Sequence, residues 1–173
     1  MLFRSHLGFV RKNNEDRLLA RTYADGTGLL AVADGLGGHE AGERAAQMAV
    51  SALQGLDVDA VDVDERLVSL VCTMNRDILK EAARDSTFKK MGTTLTAALV
   101  RNGTAHWIHV GDSRLYLFRD RILVQITEDQ TPLGILVRGG EISKEEARLH
   151  PLRNLLMSRS EEHTSELQSP NTI

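Results

Sequence analysis

Aromatic residues make up only 4% of this 173-residue chain, so a core has to be built from Leu, Val, Ala and Ile. Cysteine is nearly absent. Cys72 stands alone, no internal disulfide can form, and a reducing, cytoplasmic compartment is expected. With three prolines, 42% hydrophobic and 26% charged residues, the composition is that of one soluble globular domain or part of one. No apolar run approaches the ~20 residues of a membrane span, so no membrane partner is expected. The N-terminal stretch MLFRSHLGFVRKNNED lacks a long apolar core and a small-residue cleavage site, which excludes a signal peptide. A net charge of −3 gives no electrostatic footprint for nucleic acid. A Gly-x-Ser-x-Gly elbow is missing, so a serine hydrolase has no support.

What is present centres on Leu29 to Glu43, LLAVADGLGGHEAGE. A short apolar run bounded by glycines predicts a buried strand, ending at Asp34-Gly35. Asp34 then sits where a rigid strand passes into a flexible turn. The strand fixes the carboxylate, and Gly37 and Gly38 let other groups approach closely.

In chain order, Leu2 to Val10 reads as a strand and Arg11 to Asp16 (RKNNED) as a dense polar cluster. Leu18 to Tyr23 reads as a second strand and Asp25-Gly26 as a hairpin turn. Three antiparallel strands here bring Glu15 and Asp16 to the strand end that carries Asp34. Glu40 to Leu53 has helical spacing, with Ala41, Ala45, Met48, Ala49 and Ala52 on one face. Asp57 to Asp64 (DVDAVDVD) lacks the glycine and the bidentate glutamate of a calcium loop. It reads as a solvated linker whose Asp64 caps a helix from Glu65 to Arg84. That helix turns Leu67, Leu70, Val71, Met74, Ile78 and Leu79 inward, with Cys72 a small buried or half-buried side chain. Gly92 to Val100, Thr104 to Val110, Leu115 to Phe118 and Ile122 to Ile126 follow as strands at hairpin spacing. Glu128 to Arg138 and Ser143 to Leu149 read as short helices, the second with a capping box. With no alternation of strand and helix, the expected fold is α+β, antiparallel sheets covered by helices.

The chemistry-bearing residues are carboxylates at turns and strand ends: Glu15, Asp16, Asp34 and Asp112. Hard oxygen donors of this kind suit Mg²⁺ or Mn²⁺. His106 and His109 are three apart in a strand, point to opposite faces, and read as structural. The glycine turn before a helix could hold phosphate, but it lacks the lysine of a phosphate-binding loop, which makes nucleotide binding the weaker reading. Singly, each acidic residue has an ordinary role: Asp34 in a turn, Asp112 in an ion pair with Arg114, Glu15-Asp16 balanced by Arg11 and Lys12.

The combination is more specific. VRKNNED (Val10 to Asp16), VADGLGGHEAGE (Val32 to Glu43), MGTTL (Met91 to Leu95), VGDSRLYLF (Val110 to Phe118) and HPLRN (His150 to Asn154) occur in this order. Together they resemble the bacterial branch of the metal-dependent PPM-type (type 2C) serine/threonine protein phosphatases. The resemblance implies a sandwich of two antiparallel β-sheets flanked by helices, with two divalent ions, Mn²⁺ or Mg²⁺, at one end. It implies that Asp34 bridges both ions and that the Gly35 carbonyl helps hold one. Glu15 and Asp16 contact the metal site directly or through water, and Asp112 helps bind a third, weaker ion. Arg11 matches the phosphate-binding arginine, and His39 is the candidate for protonating the leaving oxygen. The implied reaction is hydrolysis of phosphoserine and phosphothreonine on proteins, opposing a bacterial serine/threonine kinase and its targets, by an enzyme that is a monomer at full length.

The chain also departs from that pattern. The family continues past HPLRN to two further aspartates, in Ser-Asp-Gly and Asp-Asn motifs, and here no aspartate follows Asp129. Arg159 to Ser169 (RSEEHTSELQS) resembles a conceptual translation of a common sequencing adapter. The expected organisation is therefore residues 1–158 as the N-terminal part of a phosphatase domain and 159–173 as a non-native tail. Two expectations follow: weak or no turnover by the chain as written, and uncovered apolar sheet faces. A catalytically dead module that binds phosphoprotein or another partner is the alternative.

Overall fold

Strands β1 (Arg17–Thr22) and β2 (Gly28–Ala33) form an antiparallel hairpin around Asp25-Gly26. The turn closes because Gly26 adopts φ 88° and the Asp25 carboxylate accepts from both the backbone N–H and the hydroxyl of Thr27. Those bonds favour the ionised carboxylate and hold the Asp25 pKa below its ordinary value. This computed structural model describes residues 3–9 and 12–152, with the backbone alone for His39.

After β2 the chain makes a two-residue strand β3 (Gly35–Leu36), then helix α1 (His39–Gln54) and helix α2 (Val63–Arg84). A two-residue strand β4 (Gly92–Thr93) pairs with β3, and β5 (Leu95–Arg101) and β6 (Thr104–Val110) complete the main sheet. Its order is β1-β2-β5-β6, antiparallel throughout, with Leu30 opposite Ala98 and Ala98 opposite Trp107. Strands β7 (Tyr116–Arg119) and β8 (Ile122–Gln125) form a separate hairpin, followed by helices α3 (Pro132–Arg138) and α4 (Lys144–Leu149).

The sheet's period of two divides its side chains between two faces. Leu29, Ala31 and Ala33 of β2 and Leu95, Ala97 and Leu99 of β5 join one core with Ala45, Ala49 and Leu53 of α1 and Leu67, Val71 and Met74 of α2. Burying each larger aliphatic side chain is worth about 1.5–3 kcal/mol. The alanines of α1 let the helix lie close on the sheet. On the opposite face Leu30, Val32 and Val100 are exposed. Thus the antiparallel, helix-covered architecture expected from the sequence is present.

Several local expectations are corrected. Residues 3–9 form no strand: they are exposed, and a turn at Gly8 (φ 79°) is closed by its N–H donating to His6 Nδ1. The third antiparallel strand beside β1 and β2 is therefore β5, from much later in the chain. The run predicted over Gly92 to Val100 breaks at Thr94, whose hydroxyl is used elsewhere. Asp64 does not cap α2. It lies in the first turn, and the N-cap position is Asp62, which makes no side-chain cap. The linker before it is only half solvated, because Val58 and Ala60 are buried and their carbonyls accept from the Arg101 guanidinium. Leu79 is 47% exposed and Cys72 is exposed, since α2 rests on the core along a narrower stripe than the pattern suggests. The first of the two short helices starts at Pro132, after an N-cap by Thr131 whose Oγ1 accepts from Gly134 N–H. The Ser143 capping box of α4 is present as expected.

Candidate active site

The β1–β2 ladder pairs Arg17 with Ala33, so Asp16 and Asp34, one residue outside that pair, leave the sheet at the same end. Both line one cavity of about 300 Å³, with Arg4, His6, Arg17 and Ser113 among its other walls. Arg17 is tied down: its guanidinium donates to the Asn14 and Asp16 carbonyls and to the Glu43 carboxylate. The bend that presents Asp16 is thereby fixed to α1.

Asp34 is held by its own backbone. Its carbonyl accepts from Thr94 N–H at 2.9 Å and lies 3.0 Å from Thr93 Oγ1, whose single proton it shares with the Thr94 carbonyl at 2.8 Å. Its N–H donates to Thr94 Oγ1 at 3.0 Å. Glu15 is placed differently. Its carboxylate rests against Gly42 in the first turns of α1, where a Cβ would lie 2.3 Å from Glu15 Oε2. The positive end of the helix dipole favours a carboxylate there. Gly35 is packed as tightly, with a Cβ reaching 2.3 Å from the Gly42 carbonyl oxygen and 2.6 Å from that of Glu15. Only glycine fits at either position. Of the two glycines that the sequence marked for close approach, Gly37 has the Lys90 carbonyl oxygen 2.5 Å from where a Cβ would lie, whereas Gly38 faces open space.

Asp112 lies in the loop between β6 and β7. It is half-buried and does not wall the cavity; its neighbour Ser113 does. The ion pair with Arg114 that would give Asp112 an ordinary role is not made. Arg114 grips Asp129, donating from Nε at 2.8 Å and from Nη2, and this pairing keeps the guanidinium protonated well above its ordinary range. The loop is buttressed by Gln130, whose Oε1 accepts from Gly111 N–H and whose own N–H donates to the Gly111 carbonyl.

The two strand histidines are structural and face opposite ways. His106 Nδ1 meets Asp64 Oδ1 at 2.8 Å on the helix side. His109 is fully buried on the other, between Thr96 Oγ1 at 2.8 Å and the Glu128 carbonyl at 3.1 Å. Burial lowers the His109 pKa, which favours the neutral ring. A carbonyl only accepts, so Nε2 carries the proton and Nδ1 accepts from Thr96.

Arg11 lies outside the described residues, as does the side chain of His39, whose backbone begins α1. The sequence reasoning passed over Thr94 and Ser113. Both lie inside stretches it had singled out, but a hydroxyl carries no pattern of its own.

Among the described residues no three His, Cys, Asp or Glu side chains stand together as a metal-binding group. The donor type still fits a hard cation: Asp16, Asp34 and the Ser113 hydroxyl border one cavity and offer only oxygen. Mg²⁺-like ions commonly take one or two carboxylates and complete their shell with water and phosphate oxygens.

Antiparallel sheets, covering helices and two carboxylates leaving one sheet end are the features of this chain, and comparison with known proteins gives the family. A family model described as Protein phosphatase 2C matches residues 6–158, and the chain belongs to that family. It is 45% identical over 156 residues to the serine/threonine protein phosphatase PstP of Mycobacterium tuberculosis, covering 89% of this chain and 29% of PstP. It is 37% identical over 161 residues to the serine/threonine phosphatase stp of Listeria monocytogenes, covering 90% of this chain and 64% of that protein. The chain thus spans less than two thirds of either relative. The crystal structure of the M. tuberculosis phosphatase PstP/Ppp superposes with a TM-score of 0.83 at 42% identity, covering 98% of this chain and 70% of that one. The PstP catalytic domain in complex with two manganese ions superposes with a TM-score of 0.78 at 38% identity, covering 98% and 69%.

Proposed function

We propose that this chain belongs to a metal-dependent phosphatase acting on phosphoserine and phosphothreonine in proteins. The observation that carries the reading is the shared cavity of Asp16 and Asp34 at the end of the β1–β2 ladder. The manganese complex of PstP supports Mn²⁺ as the cofactor, with Mg²⁺ the alternative ion. Asp34 and the Gly35 carbonyl would hold such ions, with Glu15 and Asp16 meeting them directly or through water and Asp112 assigned to a third, weaker ion. When bound, the ions supply positive charge that acidifies water and neutralises phosphoryl oxygens.

The chain's own residues then divide the work. Asp34, fixed through Thr93 and Thr94, keeps a carboxylate in place without reorganisation. Arg11 is assigned the phosphoryl oxygens, which its planar guanidinium matches in shape and charge. His39 is assigned the proton that the departing serine or threonine oxygen takes up. The water oxygen bonds to phosphorus as the ester P–O bond breaks, giving inorganic phosphate and a free side-chain hydroxyl. Substrates are phosphorylated proteins, with a serine/threonine kinase and its targets as partners, and the full-length enzyme is a monomer. The cytoplasm is the assigned compartment, which the single Cys72 supports; among the described residues no helix is long and apolar enough to cross a membrane. Residues 1–158 are taken as the phosphatase part and 159–173 as a tail, in keeping with the extent of the family match.

The test is release of phosphate from a phosphothreonine peptide. Weak turnover is expected with Mn²⁺ and none with EDTA or in Asp34→Asn. A chain that binds Mn²⁺ and the phosphopeptide yet releases no phosphate would shift the assignment to the binding module, a reading that the relatives' names do not favour.

A further inference from the structure

We infer that Thr94 is a positioning residue that sets Asp34 and the Asp112 loop in register by linking Asp34 N–H to the Ser113 hydroxyl. This inference rests on the assignment of Asp34 to a metal centre. Thr94 is 1% exposed and sits between β4 and β5, at the break in what would otherwise be one strand. Its Oγ1 accepts the Asp34 N–H at 3.0 Å and lies 2.8 Å from Ser113 Oγ. Its own N–H donates to the Asp34 carbonyl at 2.9 Å. One residue therefore binds both backbone polar groups of Asp34 and, through its hydroxyl, the loop that carries Asp112.

The packing agrees with the hydrogen bonds. Gly111 adopts φ 106°, and a Cβ there would fall 2.7 Å from Thr94 Cγ2 and 2.9 Å from its Cβ. The loop thus lies directly on the Thr94 side chain, methyl and hydroxyl both in use. On its far side the Ser113 carbonyl is 3.2 Å from Thr96 Oγ1. When the single Thr96 proton goes to His109, it is not available to that carbonyl, and among the described residues the Thr94 hydroxyl is then the side-chain bond that fastens Ser113 toward Asp34. Hydroxyl bookkeeping also gives Ser113 a role. If Thr94 donates its proton to Ser113 Oγ, the Ser113 O–H is free to donate into the cavity that Asp16 and Asp34 border.

Outer partners that orient ligands typically change metal affinity by about 10–100-fold when removed. Thr94→Val keeps the branched shape and deletes the hydroxyl; Thr94→Ser keeps the hydroxyl. The experiment is calorimetric titration of the full chain with Mn²⁺ alone, beside thermal denaturation of each metal-free variant. Thr94→Val should weaken Mn²⁺ binding by about tenfold or more, Thr94→Ser should restore it, and Ser113→Ala should add little on top of Thr94→Val. Undiminished Mn²⁺ affinity in a folded Thr94→Val variant overturns the positioning role alone. So does a Thr94→Ser variant as weak as Thr94→Val, because the effect is then one of packing. An unmutated chain that binds no Mn²⁺ overturns the metal-centre assignment, and the inference with it.

Discussion

His109 Nε2 donates to the Glu128 carbonyl at 3.1 Å, joining the last strand of the main sheet to the segment that leads into α3. The same segment is tied back by Arg114 to Asp129 and by Leu115 N–H to Thr127 Oγ1. The loop carrying Asp112 therefore has both its ends anchored, one on β6 and one on the start of the α3 segment.

Acid should loosen this anchor. Burial lowers the His109 pKa below its ordinary value of 6.5, so between the folded value and 6.5 the unfolded chain binds more protons. Stability then rises with pH. The His109 contribution is complete above 6.5 and is lost as pH falls through the folded pKa, with a slope of at most about 1.4 kcal/mol per pH unit. Urea denaturation from pH 8 to 5 checks this, comparing the slope in the unmutated chain with that in His109→Gln. Equal slopes would show that His109 is not the titrating group.

Gly42→Ala separates helix propensity from packing. Inside a helix alanine is favoured over glycine by about 1 kcal/mol. Here its methyl group would sit 2.3 Å from Glu15 Oε2 and 2.8 Å from the Gly35 carbonyl carbon. The carboxylate can swing aside, but the backbone cannot. A net loss of about 1–3 kcal/mol is expected in urea denaturation. A gain would mean that α1 can slide away from Gly35 at little cost.

How far all this was legible in the sequence depends on range. The Asp25-Gly26 turn, the Ser143 capping box and the apolar face of α1 are local, and all are found where the pattern places them. The convergence of Asp16 and Asp34 was legible too, because a hairpin with a known turn fixes its own register. What failed was non-local. Residues 3–9 have strand-like composition, but a strand needs a neighbour. Asp64 sits at a plausible cap, yet its carboxylate is drawn to His106, 42 residues away. The work of Thr94 depends on hydroxyls brought together across β4, β5 and the loop after β6, which no single stretch encodes.

Asp34→Asn should leave the fold intact and remove the response to metal. The backbone bonds of Asp34 to Thr93 and Thr94 do not involve the carboxylate, so the metal-free melting temperature should stay level, or rise as charge near Asp16 is relieved. Mn²⁺ at about 100 times its dissociation constant should stabilise the unmutated chain by about 2.7 kcal/mol and the variant by far less. Thermal shifts with and without Mn²⁺ measure both. An equal Mn²⁺ shift in Asp34→Asn would remove this residue from the metal centre.

The exposed part of the main sheet's outer face, beside the part where Thr96, Ala98, Trp107 and His109 are buried, should make the chain associate. Leu30 and Val32 of β2 and Val100 of β5 project from the same side and are 36%, 47% and 41% exposed. Leu18 and Ala20 of β1 continue that side, opposite Val32 and Leu30. β-branched and aliphatic side chains in this arrangement form a contiguous apolar strip of the kind that drives association. Light scattering should therefore show oligomers that grow with concentration. The double variant Leu30→Thr/Val32→Thr, which retains strand propensity at exposed positions, should shift the distribution towards monomer. If the unmutated chain stays monomeric and melts in one cooperative transition, this face is not sticky, and the exposed strip alone is too small to recruit a second copy.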